Sequence, residues 1–363
     1  MVLTNCSGRV AGDRLVQSSL SEQLAKGCLG SGRATNVSPA DKKDMHDHFS
    51  IFCSLRIQGR TSADLDYDNR LLINCQGVSK SITILGCGYL GQVLVRHCME
   101  MGWRVSALTR NRDTARFLRD QGVSKVVEAG LAGKGWHDQL DPTQDFVVNC
   151  VGAASPTLDG YEESYVRGQE SVREWLAGGQ AGTLLFTSSI SVYPQRDGSL
   201  VDETASTENA SDRARLLLEA EEKCLSPSPD ISRSFVLRLA GIYGPGRHLL
   251  VEKLKRGESF GGNSGRTLNL IHVEDAARAI VFSLNSGREI KGGIYNVSDG
   301  SHFSRGEIVS WLADKLGLQA TGFEEDDPPN SPDRKISIER IKTELKWTPL
   351  YNSFVKGYES ILS

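Results

Sequence analysis

The sequence predicts a mixed α/β fold built around a doubly wound parallel sheet. Two observations lead to this fold class. From about residue 80 onward, short β-branched apolar runs alternate with stretches of helical periodicity, and a glycine-rich turn joins the first run to the first helix. Because repeated strand–helix units of this length need right-handed crossovers, the strands run parallel and helices cover both faces of the sheet.

The predicted elements follow one another regularly along the chain. The strands are "SITILG", "WRVSALT", "VSKVVEA", "DFVVNCVG", "GTLLFTSS" and "SFVLRLAGIYG". The helices between them are "YLGQVLVRHCMEMG", "DTARFLRDQG", "YEESYVRGQESVREWLAGG" and "ARLLLEAEEKCL". A later amphipathic helix, "FSRGEIVSWLADKLG", precedes an acidic, proline-rich stretch, "FEEDDPPNSPD", which is predicted to be a connecting loop or a lid.

Composition limits the classes of partner. The 363 residues are 39% apolar and 24% charged, which suits one large core with a smaller annex. A net charge of −3 without a basic cluster argues against nucleic acid, and no apolar run reaches the roughly 18 residues of a membrane span. The eight cysteines show neither CxxC pairs nor zinc-ligand spacing, so we predict no metal, and their place in apolar segments indicates a reducing, cytoplasmic setting.

The chain is expected to divide near residue 80. Residues 1–79 lack sustained periodicity and are predicted to be a disordered leader or a non-native extension. Organelle targeting is the alternative, although targeting peptides avoid the acidic residues found here. Residues 80–245, completed by about 268–300, form the predicted sheet domain. Residues 246–267 and 301–363 form a small lobe over the strand ends, where ligands of such sheets bind.

The first turn, "LGCGYLG", has the GxGxxG spacing of a dinucleotide site. Gly86 would permit the tight turn, Gly88 would let the backbone approach a pyrophosphate, and Gly91 would let the helix pack close to the strand. Tyr89 and Leu90 lie in the same turn. The strand before the turn and the helix after it favour a Rossmann-type NAD(P)-binding domain over a merely structural glycine turn.

The end of the second strand favours NADP over NAD. An NAD site usually places an acidic residue there to bind the ribose hydroxyls, whereas this chain has Thr109, Arg110 and Arg112. Guanidinium groups suit a 2′-phosphate. A solvated helix start is the alternative explanation for these arginines.

Motifs from the glycine turn to the C-terminus resemble the extended short-chain dehydrogenases/reductases, the superfamily of nucleotide-sugar epimerases and dehydratases. The resemblance rests on "TSSISVYP", "VLRLAGIYGPGR", "LNLIHVEDAARAIVFSL", "GGIYNVSDG" and "ISIERIKTELKWTPLYNSFVKGYESIL". It implies that further residues at the strand ends contact the cofactor, namely Cys150, Val151, Gly152, Thr187 and Leu239. It also implies substrate contacts from Ser188, Ser189 and Arg247, since an arginine there could bind a phosphate or carboxylate.

The resemblance is incomplete at the catalytic positions. Ser189 matches the family serine, but the family's tyrosine and lysine fall on Ser211 and Arg215, or in a second register on Arg213 and Leu217. Tyr165 stands where the family usually has an asparagine. The pattern is similar to the atypical extended members that lack the tyrosine–lysine pair.

Three residues are candidates to replace the missing pair. Tyr193 or Tyr165 could donate the proton, and Arg215 could supply a positive field. Packing roles are the alternative for both tyrosines.

Two functions therefore stay open. The first is an NADP-dependent oxidoreductase, epimerase or dehydratase acting on a carbonyl or hydroxyl group of a small-molecule substrate, for which a nucleotide sugar or related metabolite is one candidate. The second is a non-catalytic NADP-binding sensor or assembly factor. The resemblance also implies a homodimer formed through helices of the outer layer, with "SYVRGQESVREWL" and "ARLLLEAEEKCL" as candidates.

Overall fold

A computed structural model of the chain describes residues 79–320, 322–324 and 331–362. The predictions of a leader and of organelle targeting concern residues 1–79, which apart from Ser79 lie outside the described residues. Within the described range no helix is long and apolar enough to cross a membrane.

A parallel sheet forms the centre of the fold, as predicted, and it has seven strands because Gly292–Val297 joins the six strands that the sequence predicts. All the strands of the described residues, both in this sheet and in three two-stranded sheets, are β1 (Ser81–Leu85), β2 (Arg104–Thr109), β3 (Lys125–Glu128), β4 (Gln144–Asn149), β5 (Ala181–Ser189), β6 (Leu200–Val201), β7 (Ser234–Leu239), β8 (Gly241–Tyr243), β9 (Phe260–Gly261), β10 (Leu270–His272), β11 (Gly292–Val297), β12 (Phe323–Glu324) and β13 (Lys335–Ile336). The large sheet has the order β11-β7-β5-β4-β1-β2-β3. The order reverses between β1 and β4, and ligands of doubly wound sheets bind at such a switch point.

Helices cover both faces of this sheet. They are α1 (Tyr89–Glu100), α2 (Arg112–Asp120), α3 (Leu158–Tyr161), α4 (Gly168–Leu176), α5 (Asp212–Leu225), α6 (Leu249–Lys255), α7 (Val273–Asn285), α8 (Arg305–Leu316), α9 (Glu339–Glu344) and α10 (Phe354–Leu362). A π-helical segment, Glu162–Arg167, joins α3 to α4. The predicted helix over this stretch is therefore confirmed, with a widened turn in its middle.

Alternation along the strands explains the two layers. In β1, Ile82 and Ile84 pack into the apolar cluster shared with α1, α2 and α7, whereas Leu85 packs into the cluster shared with α4 and α5. Successive strand residues point to opposite faces, so a strand buried on both sides has an almost continuous apolar sequence. This is why "SITIL" is buried at every position.

The small lobe has its own apolar cluster, built mainly from α6, α8 and α10. Its members include Val251, Leu254, Phe260, Ile308, Leu312 and Phe354. Residues 338–347, placed in the lobe by the sequence, instead contribute Ile338, Ile341 and Trp347 to the core of the large sheet. Phe323 and Glu324, expected in a loop, form β12 and pair with β9.

One predicted strand is divided in two. The stretch "SFVLRLAGIYG" leaves the large sheet after Leu239, and β8 pairs with β10 in a separate two-stranded ladder. The break at Ala240 directs the chain from the sheet domain toward the small lobe. The sequence alone showed no interruption there, because the apolar pattern continues through the break.

A buried ion pair connects α5 to the sheet. Arg238 on β7 donates from Nη2 to Oε2 of Glu221 at 2.6 Å, and both side chains are almost completely buried. The hydroxyl of Ser188 on β5 also donates to Glu221, and Arg238 donates from Nη1 to the Tyr193 hydroxyl at 2.9 Å. Tyr193 in turn donates to Asn296 at the end of β11 at 2.8 Å. The network joins three neighbouring strands and one helix below the strand ends.

Removing one partner of this pair should be costly, because the other charge stays buried without compensation. We expect Glu221→Gln or Arg238→Met to lower the free energy of unfolding by about 3–5 kcal/mol. Denaturant unfolding measures the effect. The double variant Glu221→Leu/Arg238→Met should recover a large part of the loss, since it buries no unpaired charge. Additive losses in the double variant would contradict this account.

Candidate functional site

The glycine turn between β1 and α1 has the geometry of a dinucleotide site. Gly86 has a φ of +94°, and a methyl group there would lie 2.6 Å from the backbone nitrogen of Val151. A methyl group at Gly91 would lie 2.4 Å from the carbonyl oxygen of Gly86, whereas Gly88 faces open space. The three glycines therefore have the turn, packing and approach roles that the spacing predicts, and the N-terminus of α1 is open to an anion.

The loop after β4 lies directly against this turn. The Cys150 thiol donates to the carbonyl oxygen of Gly86 at 3.2 Å, and the Cys150 amide donates to the Leu85 carbonyl oxygen at 2.8 Å. Gly152 faces open space, like Gly88. The structure thus brings Cys150–Gly152 to the glycine turn, where the resemblance placed cofactor contacts.

Tyr165 holds this loop in place. Its hydroxyl accepts a hydrogen bond from the Ala153 amide at 3.1 Å, and the neighbouring Ser164 hydroxyl accepts one from the Ala154 amide at 2.8 Å. Burial raises the pKa of Tyr165, and the nearby Tyr161 raises it further. A neutral phenol that accepts from the backbone can still donate its own proton. Tyr165 therefore stays a candidate proton donor next to the loop after β4, called the cofactor loop below.

The end of β2 presents two free cations. Arg110 and Arg112 are exposed and form no ion pair with any described residue. Thr109 is buried, and its hydroxyl accepts from the Asn111 amide at 3.2 Å, which shapes the turn. Asn111 caps α2 by accepting from the Thr114 amide. The arginines stand at the edge where the adenine ribose lies in such folds.

The two predicted serines at the end of β5 have different surroundings. Ser188 is buried and donates to Glu221, so it lies in the core network and is removed from substrate contact. Ser189 is half-buried, and its hydroxyl accepts from the Ser191 amide at 3.1 Å. Among the described residues nothing accepts the Ser189 hydroxyl proton, which leaves it available to a ligand. Thr187 makes a long contact of 3.4 Å to the Asn149 carbonyl oxygen.

Three other predicted residues lie away from the expected positions. Tyr193 is only 1% exposed, and its hydroxyl is saturated by Arg238 and Asn296, which argues against proton transfer to a substrate. Arg215 projects outward, with 67% of its side chain exposed, and pairs with Asp212. Leu239 is buried in the core at the end of β7.

The two registers for the family's tyrosine and lysine can be compared in the structure. Ser211 is the N-cap of α5 and accepts from the Ala214 amide, so it serves the helix start. Leu217 is buried in the core. Arg213 points toward the loop after β4, donates to the Pro156 carbonyl oxygen, and has its guanidinium carbon 5.6 Å from the Tyr161 ring centroid. The arginine that lies next to the cofactor loop is therefore Arg213, in place of the predicted Arg215.

Sequence reasoning missed Tyr161. This residue is half-buried, its ring packs edge-on against Tyr165 at 5.3 Å, and its hydroxyl has no hydrogen-bond partner in the described part of the chain. The only signal for it in the sequence is its place in "YEESYVRG", four residues before Tyr165. The contact with Arg213 could not be predicted, because it depends on how α3 and α5 pack.

Arg247 lies at the glycine turn. Its guanidinium carbon is 5.5 Å from the ring centroid of Tyr89, whose hydroxyl donates to the Pro245 carbonyl oxygen at 3.0 Å. A methyl group at Gly244 would lie 2.6 Å from that hydroxyl, so only glycine fits. Burial raises the pKa of Tyr89 to about 12, which keeps the phenol neutral. Arg247 was predicted to contact the substrate, but it lies against Tyr89 of the glycine turn, where it could also contact the cofactor.

Residues 82–298 match the model of the NAD dependent epimerase/dehydratase family. The chain belongs to this family. The match spans the glycine turn, Ser189 and β11, and thereby covers the large sheet except for Ser81, the first residue of β1.

Curated relatives of this family member are distant. Protein YeeZ of Escherichia coli K12 is 29% identical over 252 residues, which cover 67% of this chain and 86% of the relative. The 2-alkyl-3-oxoalkanoate reductase of Stenotrophomonas maltophilia is 26% identical over 247 residues, covering 64% of this chain and 74% of the relative.

Solved structures of the family share the fold. MoeE5 in complex with UDP-glucose and NAD superposes with a TM-score of 0.67 at 22% identity, covering 78% of this chain and 97% of that one. The UDP-glucuronic acid 4-epimerase of Bacillus cereus, with UDP-glucuronic acid and NAD, gives a TM-score of 0.68 at 19% identity, covering 77% and 97%. At these identities the likeness shows the extended Rossmann fold.

The homodimer stays a prediction. The outer faces of α4 and α5 carry charged groups that pair with one another, as in the contact of 2.9 Å between Lys223 and Glu170. An interface formed there would be polar.

Two glycine variants should separate folding from cofactor binding. Gly91→Ala brings a methyl group against backbone and should destabilise the protein, whereas Gly88→Ala points into open space and should leave the unfolding temperature unchanged. Both should weaken NAD(P)H binding, Gly88→Ala by obstructing the approach of the pyrophosphate. Thermal unfolding measures the stability of each variant, and nicotinamide fluorescence measures its affinity for NAD(P)H. Full NAD(P)H affinity in Gly88→Ala would place the cofactor elsewhere.

Proposed function

We propose that the chain is an NADP-dependent oxidoreductase, epimerase or dehydratase acting on a carbonyl or hydroxyl group of a small metabolite. The observation that carries this proposal is the position of Ser189. The Ser189 hydroxyl, whose proton has no acceptor among the described residues, lies at the end of β5, beside β4, whose loop touches the glycine turn of β1. When bound, the nicotinamide would supply or accept a hydride. Ser189 would hold the reacting oxygen of the substrate by donating a hydrogen bond to it.

The proton requires a group other than the family tyrosine. The Tyr161 hydroxyl has no hydrogen-bond partner in the described part of the chain, and its ring lies beside the guanidinium of Arg213, the residue at the tyrosine position in one register. Tyr165 lies next to Tyr161 but binds the Ala153 amide. We therefore propose that Tyr161 exchanges the proton with the substrate oxygen while Tyr165 positions the cofactor loop. Arg213 supplies the positive field that the family lysine would provide.

The preference for NADP is supported by the two unpaired arginines at the end of β2. In Arg110→Asp, NADPH should bind at least about tenfold more weakly, since a charge-assisted contact to the 2′-phosphate is lost. NADH should lose little affinity. Fluorescence titration with both cofactors measures the ratio, and Arg119→Asp, in the last turn of α2, is the control. Equal losses for NADPH and NADH in Arg110→Asp would refute the preference.

A set of variants tests turnover. The chain is screened with NADPH against ketones, aldehydes and oxidised nucleotide sugars, and Ser189→Ala should lower kcat/KM by about 100-fold. Ser191→Ala, an exposed neighbour, is the matched control. Tyr161→Phe should lower kcat and alter its pH profile, whereas Tyr165→Phe should mainly raise the KM for NADPH.

The alternative is a cofactor-binding protein without turnover. The missing tyrosine–lysine pair favours it, because Ser211 and Leu217 perform structural roles. Tight NADPH binding without oxidation across the whole screen would support this alternative over the enzyme. Absence of NADPH binding would exclude both.

A further inference from the structure

Arg334 is a buried cation whose guanidinium is only partly hydrogen-bonded. Its residue is 6% exposed, and among the described residues it forms no ion pair. Nη2 donates to the Ile190 carbonyl oxygen at 2.7 Å, while Nε and Nη1 are buried and have no acceptor. Burial lowers the pKa of Arg334 to about 10, so the guanidinium is still charged near neutral pH. An unpaired buried charge is expensive to maintain, which indicates that another group completes it.

The backbone around Arg334 is held firmly. The Asn269 side-chain amide donates to the Arg334 carbonyl oxygen at 2.8 Å, and its oxygen accepts from the Ile336 amide at 3.0 Å. The adjacent Asp333 carboxylate accepts from the Thr267 amide at 2.9 Å and does not pair with the guanidinium. The Asp333 charge therefore acts on Arg334 without direct contact and raises its pKa, while Arg334 projects from a fixed segment toward the end of β5.

The guanidinium stands next to the candidate reaction centre. Ile190 follows Ser189 directly and begins the short 3-10 turn that Ser189 caps. Arg334, from the C-terminal segment, thus reaches the residue adjacent to the serine that would hold the reacting oxygen. Arg238 and Tyr193, also near this turn, are satisfied by each other and by Glu221 and Asn296.

We propose that Arg334 binds an anionic oxygen group of the substrate, a carboxylate or a phosphate, close to the carbon that Ser189 presents. This inference rests on the proposed function, because Ser189 defines where the reacting carbon lies. Nε and Nη1 would donate charge-assisted hydrogen bonds to the anion. The substrate would accordingly be acidic near its reacting end, such as an oxo or hydroxy acid or a phosphorylated sugar. The anion would supply the acceptors that Nε and Nη1 lack among the described residues.

The experiment compares anion binding in wild type, Arg334→Met and Arg334→Lys. NADPH binding is measured first by fluorescence, and the NADPH complex is then titrated with sodium phosphate and separately with sodium acetate by calorimetry, with chloride as the baseline. The two titrations decide between phosphate and carboxylate. Arg104→Met is the control, since Arg104 is exposed at the opposite end of the sheet. Without NADPH binding the proposed function fails, but the same titrations on the free protein still test Arg334.

We expect wild type and Arg104→Met to bind at least one of the two anions. Arg334→Met should bind that anion at least about tenfold more weakly. Without anion, Arg334→Met should unfold at no lower temperature than wild type, because a buried unpaired charge is removed. A merely structural arginine would give the opposite result, a lower unfolding temperature with unchanged anion affinity. Should Arg334→Met fail to fold, Arg334→Lys decides, because lysine keeps the charge but loses the guanidinium fork and should bind the anion more weakly. No anion binding in wild type, or equal affinities in all variants, would overturn the proposal.

Discussion

The candidate site depends on the buried pair between Arg238 and Glu221. The pair joins β7 to α5, and through Ser188, Tyr193 and Asn296 it also fixes the ends of β5 and β11. Because charges buried this deeply need every hydrogen bond, the network permits little variation in the relative positions of these elements. Ser189, Ile190 and Arg213 all project from segments that the network holds. The network thus holds the strand ends of the family's scaffold in place.

The sequence was sufficient for the parts of the fold that local patterns encode. Gly86 and Gly91 lie where a methyl group would meet backbone, and Gly88 faces open space, as the spacing of the motif predicts, while their contact with a dinucleotide stays a prediction. Six of the seven parallel strands follow from apolar runs of strand length, and β11 was not among the predicted strands. The break at Ala240 was not predictable, because both halves are apolar and only tertiary packing separates them.

The contacts of the site were harder to predict, since they join segments far apart in sequence. Ser188 and Ser189 are neighbours with similar surroundings in the sequence, yet the Ser188 hydroxyl is buried in an ion network, whereas the half-buried Ser189 hydroxyl accepts from the Ser191 amide. Tyr161 meets Arg213 only through the packing of two helices, and Arg334 reaches Ile190 across 144 residues. Sequence motifs relate residues that are close together in the chain, so they do not predict contacts between residues that are far apart in it.

The buried thiols have a consequence for the chemistry of the cofactor turn. Cys87, just before α1, and Cys98, within α1, are fully buried, and burial raises the pKa of both, while the pKa of Cys150 is raised to about 12. Oxidants and alkylating reagents attack the thiolate, which is scarce at such pKa values. The Cys150 thiol, which is half-buried and donates to the Gly86 carbonyl oxygen, therefore stays protonated near neutral pH. Oxidation and alkylation at this turn should accordingly be slower than at a cysteine of ordinary pKa.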